Sequence, residues 1–343
     1  MVQILGLILL SFTIISVLFV PFINFLYRIK FQRKDQKTRD IFETRTPIFD
    51  RLHGHKVGTP VGGGALIIVV VTILFIAISN ITPILGIERT SLYPYKKEMV
   101  VLLFTFISFG LLGLHDDLIK TFGFTKTKFW GLRFRHKFLI QWILAIIIAS
   151  MLYFDLGINI INIRFFDVFN LGWFFIPFAA FTIVAFTNAV NISDGLDGLT
   201  TGLLLISLAA FLAISRSILD TTLSAFIGIW IGALIAFLYF NVWPARIWLG
   251  DVGALSFGAT LAVCGLLLGK QIALLVIGGI FVLEVTSSLI QLLSKKFRGK
   301  KVFEVAPVHL WLQHKGWPEP KIVFRFWLAQ IILALFGLWI SFF

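Results

Sequence analysis

The residues best suited to chemistry are acids and amides at the ends of apolar segments. His115-Asp116-Asp117 closes one such segment, and Asp251 follows Gly250 at the start of another. Between two more lies FTNAVNISDGLDGLTTG (186–202), with two asparagines and two aspartates. Adjacent carboxylates repel one another unless a cation or proton neutralises them, and hard divalent ions prefer oxygen ligands. The pattern therefore predicts a Mg²⁺ site, and the absence of a Cys/His ligand set argues against structural zinc.

Membrane helices are predicted to carry these residues. The chain is 58% hydrophobic with a formal net charge of +13, and its mean hydropathy is +0.95. Its many apolar runs are long enough to cross a hydrocarbon core of about 30 Å, which predicts a polytopic membrane protein. Because these runs interrupt the basic residues, the charge indicates positive-inside loops and an anionic substrate rather than nucleic acid. The single cysteine, Cys264, excludes an intrachain disulfide.

The apolar segments predict an all-α polytopic membrane protein of about ten transmembrane helices, with one domain over 1–343. Most lysines and arginines fall in one alternate set of loops, which places both termini on the outer face. The first segment is expected to be a retained helix rather than a signal peptide. The predicted ranges are 4–26, 61–79, 98–115, 138–154, 173–190, 199–214, 222–240, 253–269, 271–293 and 322–341.

This topology brings three polar helix ends to the cytoplasmic face. They carry Asp116 and Asp117, then Asn188, Asn191, Asp194 and Asp197, then Asn241 and Asp251. Taken singly, each acid could be a solvated loop residue, and Ser193 or Asp194 could simply cap the next helix. An aspartate at bilayer depth costs about 2.5–3.5 kcal/mol, however. Several such acids on one face favour an active site there.

Two lysines could supply the opposite charge. Lys56 precedes the glycine-rich turn Gly58–Gly64, a context that suits a phosphate bound by backbone N–H groups. The glycines could instead only allow close helix packing. Lys120 lies four residues after Asp116, where a simple ion pair on a helix surface is the alternative. No individual role is predicted for Lys137.

Four motifs together carry a resemblance to a known family. LLGLHDDLIK, NAVNISDGLDGLTTG, NVWPARIWLGDVGALSFG and APVHLWLQHKGWPEPKIVFRFW resemble, in this order, the bacterial phospho-N-acetylmuramoyl-pentapeptide-transferases of the MraY type. The resemblance runs from about Lys56 to Trp327. GWPEP at 316–320 is typical of this branch rather than of the related polyprenyl-phosphate GlcNAc-1-phosphate transferases.

The resemblance implies Mg²⁺-dependent transfer of phospho-MurNAc-pentapeptide from UDP-MurNAc-pentapeptide to undecaprenyl phosphate, giving lipid I and UMP for peptidoglycan synthesis. It also implies a multi-pass protein of the bacterial inner (cytoplasmic) membrane, often a homodimer, whose partners are the lipid bilayer and no nucleic acid. The acceptor is a phosphate monoester with a second pKa of about 6, so it needs cations more than a strong general base.

Residue roles follow from the same resemblance. The expected catalytic residues are Asp116, Asp117 and Asp251, with Asp251 and Asp117 as Mg²⁺ ligands and Asp116 taking the residual acceptor proton. A covalent aspartyl-phosphate intermediate is the competing mechanism. Lys56 or Lys120 would offset the acceptor's charge, and loop 186–202 would face the nucleotide sugar. The expected substrate-binding residues are Lys56, Thr59, Lys120, Asn188, Asn191, Asp194, Asp197, Asn241 and His309.

The sequence departs from the family's pattern near its end. Three consecutive histidines are usual, whereas this chain reads His309-Leu310-Trp311. This difference keeps a GlcNAc-1-phosphate transferase as the nearest alternative. A cation-coupled transporter is more remote, since it needs acids near the bilayer midplane and inverted halves. Glu284, inside an apolar segment, could mark a helix break or pair with a neighbour, and no role is predicted for it.

Overall fold

The computed structural model describes residues 2–32, 47–84, 86, 90–122, 134–163 and 167–342. Within these ranges nine helices are long and apolar enough to cross a membrane, and one bent helix pair brings the number to ten. The prediction of an all-α polytopic membrane protein is confirmed. The long helices are α1 (Val2–Arg28), α3 (Gly63–Ile84), α4 (Tyr95–Phe122), α5 (Phe134–Ser150), α6 (Phe175–Ser193), α7 (Leu199–Ser217), α8 (Thr221–Asn241), α9 (Gly250–Leu267) and α13 (Glu319–Phe342).

The bent pair consists of α10 (Gln271–Ile277) and α11 (Gly279–Arg298), which meet at an angle of 79°. The sequence predicted one continuous helix here. The bend falls at Gly278-Gly279, where a side chain on Gly278 would come within 2.6 Å of Phe186. Backbone groups freed by a helix break must find new partners in a membrane. Gln330 supplies a donor and an acceptor for such groups, because its Oε1 accepts from Ile280 N–H at 3.2 Å and its Nε2 donates to the Ile277 carbonyl.

Shorter elements lie between the spans. They are the helices α2 (Pro47–His53) and α12 (Val308–His314) and the strands β1 (Ile160–Ile163) and β2 (Asp167–Asn170). The strands form an antiparallel pair in which Ile161 is opposite Phe169. The sequence analysis predicted only helices. β-branched and aromatic residues in this short connection favour the pleated strand surface.

Helix α9 is the centre of the bundle and packs against α3, α4 and α6. Its side chains are buried along nearly its whole length. Small residues let the backbones approach closely, as at Gly113 of α4, where a Cβ would collide with the Asp251 carbonyl. This contact brings the end of α4 against the start of α9, and so places Asp116 and Asp117 beside Asp251.

Candidate active site

The candidate site begins where α4 ends and α9 starts. Asp117 Oδ2 accepts a hydrogen bond from Val252 N–H at 3.0 Å, so Asp117 satisfies a free backbone donor in the first turn of α9. Gly250 has φ +79°, and a Cβ there would lie 2.6 Å from Asp117 Oδ2. Glycine is therefore required for both the backbone conformation and the carboxylate's position.

Two lysines bridge two aspartates in what we call the aspartate–lysine cluster: Asp116, Lys120, Lys137 and Asp251. Lys137 Nζ lies 2.7 Å from Asp116 Oδ2 and 2.5 Å from Asp251 Oδ2. Lys120 Nζ lies 2.9 Å and 2.8 Å from the same two oxygens. Lys120 is 53% exposed and Lys137 is 14% exposed. The ion pair of Lys120 with Asp116, which was the alternative to a substrate-binding role, thus exists, but Lys120 also pairs with Asp251 of a second helix.

The cluster's donor set fits Mg²⁺. Asp116 Oδ2 and Asp251 Oδ2 each contact the same two ammonium groups, so both oxygens are close enough to share one cation. Within the described ranges no three carboxylate, imidazole or thiol groups converge as a ready-made metal cage. Mg²⁺ usually takes one or two carboxylates, waters and substrate phosphates. Asp117, a predicted ligand, uses one oxygen on the backbone of α9.

The two asparagines of α6 have different surroundings. Asn191 Nδ2 donates to Asp251 Oδ1 at 3.1 Å and so joins the aspartate–lysine cluster. Asn188 Nδ2 donates to Gln141 Oε1 and to the Val184 carbonyl, both at 2.8 Å. Asn188 therefore connects α6 to α5, and Asn191 orients the Asp251 carboxylate.

A second group of charged residues, which we call the buried lysine cluster, consists of Lys56, Asp197 and Glu319. Lys56 Nζ is 2.9 Å from Asp197 Oδ1 and 2.5 Å from Glu319 Oε1, with all three side chains at most 7% exposed. Lys56 also donates to the Gly195 carbonyl at 3.2 Å. Glu319 Oε1 accepts from Asp197 N–H at 2.6 Å, while its Oε2 is buried with no protein partner. Two carboxylates thus neutralise Lys56.

Asn241 and Thr59 support the site from outside its centre. Asn241 Oδ1 accepts from Thr201 at 2.8 Å, and its Nδ2 donates to the Ile247 carbonyl at 3.0 Å. Asn241 is buried and thus fixes the loop between α8 and α9. Thr59 lies in the turn after Lys56, where its N–H donates to the Lys56 carbonyl at 3.4 Å.

His309, the one histidine where the family usually has three, contacts a glutamate of α11. His309 Nδ1 lies 2.7 Å from Glu284 Oε2, and His309 N–H donates to Glu284 Oε1 at 3.1 Å. Both side chains are buried. His309 Nε2 abuts Gly195, where any side chain would collide with the ring. His309 thus reaches the same loop as Asp194 and Asp197.

The charge state of Asp194 is influenced by residues of both clusters. Burial raises the pKa of Asp194 from an ordinary 3.8 to about 7, and the negative charges of Asp251 and Asp117 add to the rise. Lys56 acts in the opposite direction. Since a like charge disfavours ionisation and a nearby cation favours it, the pKa of Asp194 depends on charged groups of both clusters.

Three site residues were missed from sequence: Lys137, Glu284 and Glu319. Lys137 was one of several basic residues near a helix end, and nothing in its spacing distinguishes it. Glu319 stands in GWPEP, which was used only as a family marker. Glu284 gave the clearest signal, because an acid inside an apolar helix needs a partner.

Comparison with known proteins agrees with the motifs. The model of glycosyl transferase family 4 matches residues 99–269. Relatives named phospho-N-acetylmuramoyl-pentapeptide-transferase from Rickettsia montanensis, Rickettsia felis and Rickettsia canadensis are each 34% identical over 345 residues, covering 95% of this chain and 90% of the relative. At this identity and coverage, the chain belongs to the phospho-N-acetylmuramoyl-pentapeptide-transferase family.

Proposed function

We propose that this chain transfers phospho-MurNAc-pentapeptide from UDP-MurNAc-pentapeptide to undecaprenyl phosphate, giving lipid I and UMP. The observation that carries the proposal is the aspartate–lysine cluster at one end of a membrane bundle, in a chain 34% identical to transferases of that name. The acceptor phosphate oxygen attacks the phosphorus that bears the sugar. The bond from that phosphorus to the oxygen of the leaving UMP breaks.

Charge is the main obstacle to this reaction. A largely dianionic acceptor must approach a pyrophosphate that is itself negative, so cations must be in place before an in-line attack. Lys120 and Lys137 are suited to that task, because one is half exposed and both reach carboxylates of two different helices. Each can exchange a carboxylate oxygen for a phosphate oxygen without crossing the bundle.

Mg²⁺ is the proposed cofactor; Asp251 and Asp117 would hold it, with help from Asp116. When bound, the ion neutralises pyrophosphate charge and stabilises the UMP leaving group. Asn191 keeps Asp251 oriented through its hydrogen bond. Asp116 takes the residual proton from any monoanionic acceptor. Direct attack is the mechanism that we favour, because a dianionic phosphate is already a nucleophile.

The donor's nucleotide sugar is assigned to the side of Asp194, Asp197 and His309. Lys56 is assigned to the donor side as well, rather than to the acceptor phosphate, because Asp197 and Glu319 already neutralise its charge. It therefore has no spare charge for the acceptor phosphate. The buried lysine cluster instead supports the loop that carries Gly195 and Asp197, through hydrogen bonds to the backbone of both residues.

The bilayer explains this arrangement. A polyprenyl acceptor stays in lipid while a UDP-sugar arrives from water, so the phosphates must meet at an interface where helix ends expose polar groups. We place this end of the bundle at the cytoplasmic face of the inner membrane, since the neighbouring loops hold most of the basic residues. A homodimer remains an expectation from the family.

The test is UMP release by detergent-purified protein with Mg²⁺, undecaprenyl phosphate and either UDP-MurNAc-pentapeptide or UDP-GlcNAc. We expect release from the first donor only, and none without the lipid acceptor. Release only from UDP-GlcNAc would replace the substrate assignment with the GlcNAc-1-phosphate alternative. No release from either donor would overturn the transferase proposal.

A further inference from the structure

Glu284 is a buried acid whose two oxygens both serve one residue. It is 0% exposed and lies in the first half of α11. Oε1 accepts from His309 N–H at 3.1 Å, and Oε2 lies 2.7 Å from His309 Nδ1. Burying a carboxylate in a membrane bundle is costly unless hydrogen bonds compensate. Glu284 therefore fixes both the backbone and the ring of His309.

The other ring nitrogen faces the loop of the candidate site. Nε2 of His309 packs against Gly195, whose missing side chain leaves room for the ring. The Gly195 carbonyl accepts from Lys56 on its other side. The imidazole is thus fixed at Nδ1 by Glu284 and held at Nε2 beside the segment that carries Asp194 and Asp197.

The neighbours of His309 make this orientation more important in this chain. Leu310 is buried, and Trp311 contacts Lys315 with the ammonium 6.0 Å from its ring centre. Neither side chain can replace an imidazole as a hydrogen-bond acceptor or general base. Any imidazole function at this position depends on the one ring that Glu284 orients.

We propose that Glu284 is the positioning residue of His309: it keeps the proton on Nδ1 and presents Nε2 as a hydrogen-bond acceptor to a hydroxyl or amide N–H of the nucleotide-sugar donor. An ionised carboxylate can only accept, so a 2.7 Å contact with it places a hydrogen on Nδ1. The partner of one ring nitrogen thereby sets the state of the other. This inference rests on the proposed function, since it names a donor-side role.

A purely structural role for Glu284, as a link between α11 and α12, makes different predictions. Glu284→Gln keeps the side chain's shape and can still accept from His309 N–H. Its amide donates to Nδ1, however, which moves the ring proton to Nε2 and removes the acceptor. We expect the KM for UDP-MurNAc-pentapeptide to rise or kcat to fall by about three- to tenfold, as for loss of one hydrogen bond between neutral groups. The KM for undecaprenyl phosphate should not change.

The decisive measurement is a double-mutant cycle. In a His309→Ala background, Glu284→Gln should cause no further loss, because the residue through which it acts is gone. The matched control is Glu98→Gln, the same change in an equally buried glutamate that accepts from Ser91 at the other end of the bundle. It should leave both KM values unchanged. Equal losses from Glu284→Gln with and without His309 would overturn the proposal.

Histidine side-chain ¹⁵N spectra of labelled protein give a readout that needs no turnover. The signal that disappears in His309→Ala should have its proton on Nδ1 in the wild type and on Nε2 in Glu284→Gln. An Nε2-protonated wild type would overturn the inference even if turnover is normal. If no donor gives UMP, the proposed function fails by itself, and the spectra still decide how Glu284 orients the ring.

Discussion

The same end of the bundle holds two lysine–carboxylate clusters that differ in burial. In the aspartate–lysine cluster, two ammonium groups share two carboxylate oxygens, and one lysine is half exposed. In the buried lysine cluster, a single ammonium is fixed by two carboxylates and a backbone carbonyl, with no side chain more than 7% exposed. We propose that the first cluster exchanges its partners for substrate or metal, whereas the second would lose its own charge compensation if it did so.

This contrast in burial indicates which charges are available for chemistry. Lys120 is half exposed, and an ion pair with an exposed partner contributes little to stability, typically about 0–1 kcal/mol, so releasing Lys120 during a reaction costs little. Breaking a buried pair from one side leaves an uncompensated charge at a cost of about 3–5 kcal/mol. We therefore assign reaction to the first cluster and support of the donor pocket to the second.

The largest expected effect is on turnover. Asp251→Ala removes the carboxylate that contacts Lys120, Lys137 and Asn191. Because it also removes a proposed Mg²⁺ ligand, we expect turnover to be abolished at every Mg²⁺ concentration, measured as UMP release. Retained activity at high Mg²⁺ would remove Asp251 from the metal site.

The next largest effect should be on stability. Lys56→Met leaves the Asp197 and Glu319 carboxylates buried without their cation, so we expect a loss of about 3–5 kcal/mol in the free energy of unfolding. The change can be measured by denaturant titration in mixed micelles. Lys120→Met is the matched control and should cost less than about 1 kcal/mol. Equal losses for the two variants would remove the distinction between the clusters.

Lys137 should matter for rate more than for stability. Lys137→Met removes one of two cations that face Asp116 and Asp251, and Lys120 remains. We expect kcat to fall on the order of 10²-fold, comparable to losing one preorganised electrostatic contact. A melting temperature close to that of the wild type would accompany it. Unchanged kcat would return Lys137 to the group of ordinary positive-inside residues.

A further expected effect is a dependence of stability on pH. The pKa of Asp194 is about 7 in the folded state and ordinarily 3.8, so the folded protein binds this proton more tightly than the unfolded chain. Its contribution to metal-free stability is complete below about pH 4 and is lost as pH rises through about 7. Asp194→Asn should flatten this part of the profile of melting temperature against pH. Asp155→Asn, at an exposed carboxylate, should not.

The sequence predicted the fold well because bilayer-length apolar runs have few structural alternatives. It also singled out Asp116, Asp117 and Asp251, since acids at helix ends are conspicuous in an apolar chain, and the structure brings these three residues together. It could not predict that Glu284 meets His309 or that Glu319 meets Lys56. These pairs join residues far apart in sequence and depend on the bend at Gly278 and the path of the chain before α13, which no local periodicity records.

The most direct test of the division between the clusters is divalent-ion binding, measured by electron paramagnetic resonance with Mn²⁺ as the probe. Purified wild type should bind Mn²⁺, and Glu319→Gln should bind it with similar affinity because the buried lysine cluster holds no metal. Asp251→Ala should lose this binding. Mn²⁺ binding that survives Asp251→Ala but disappears in Glu319→Gln would contradict the account.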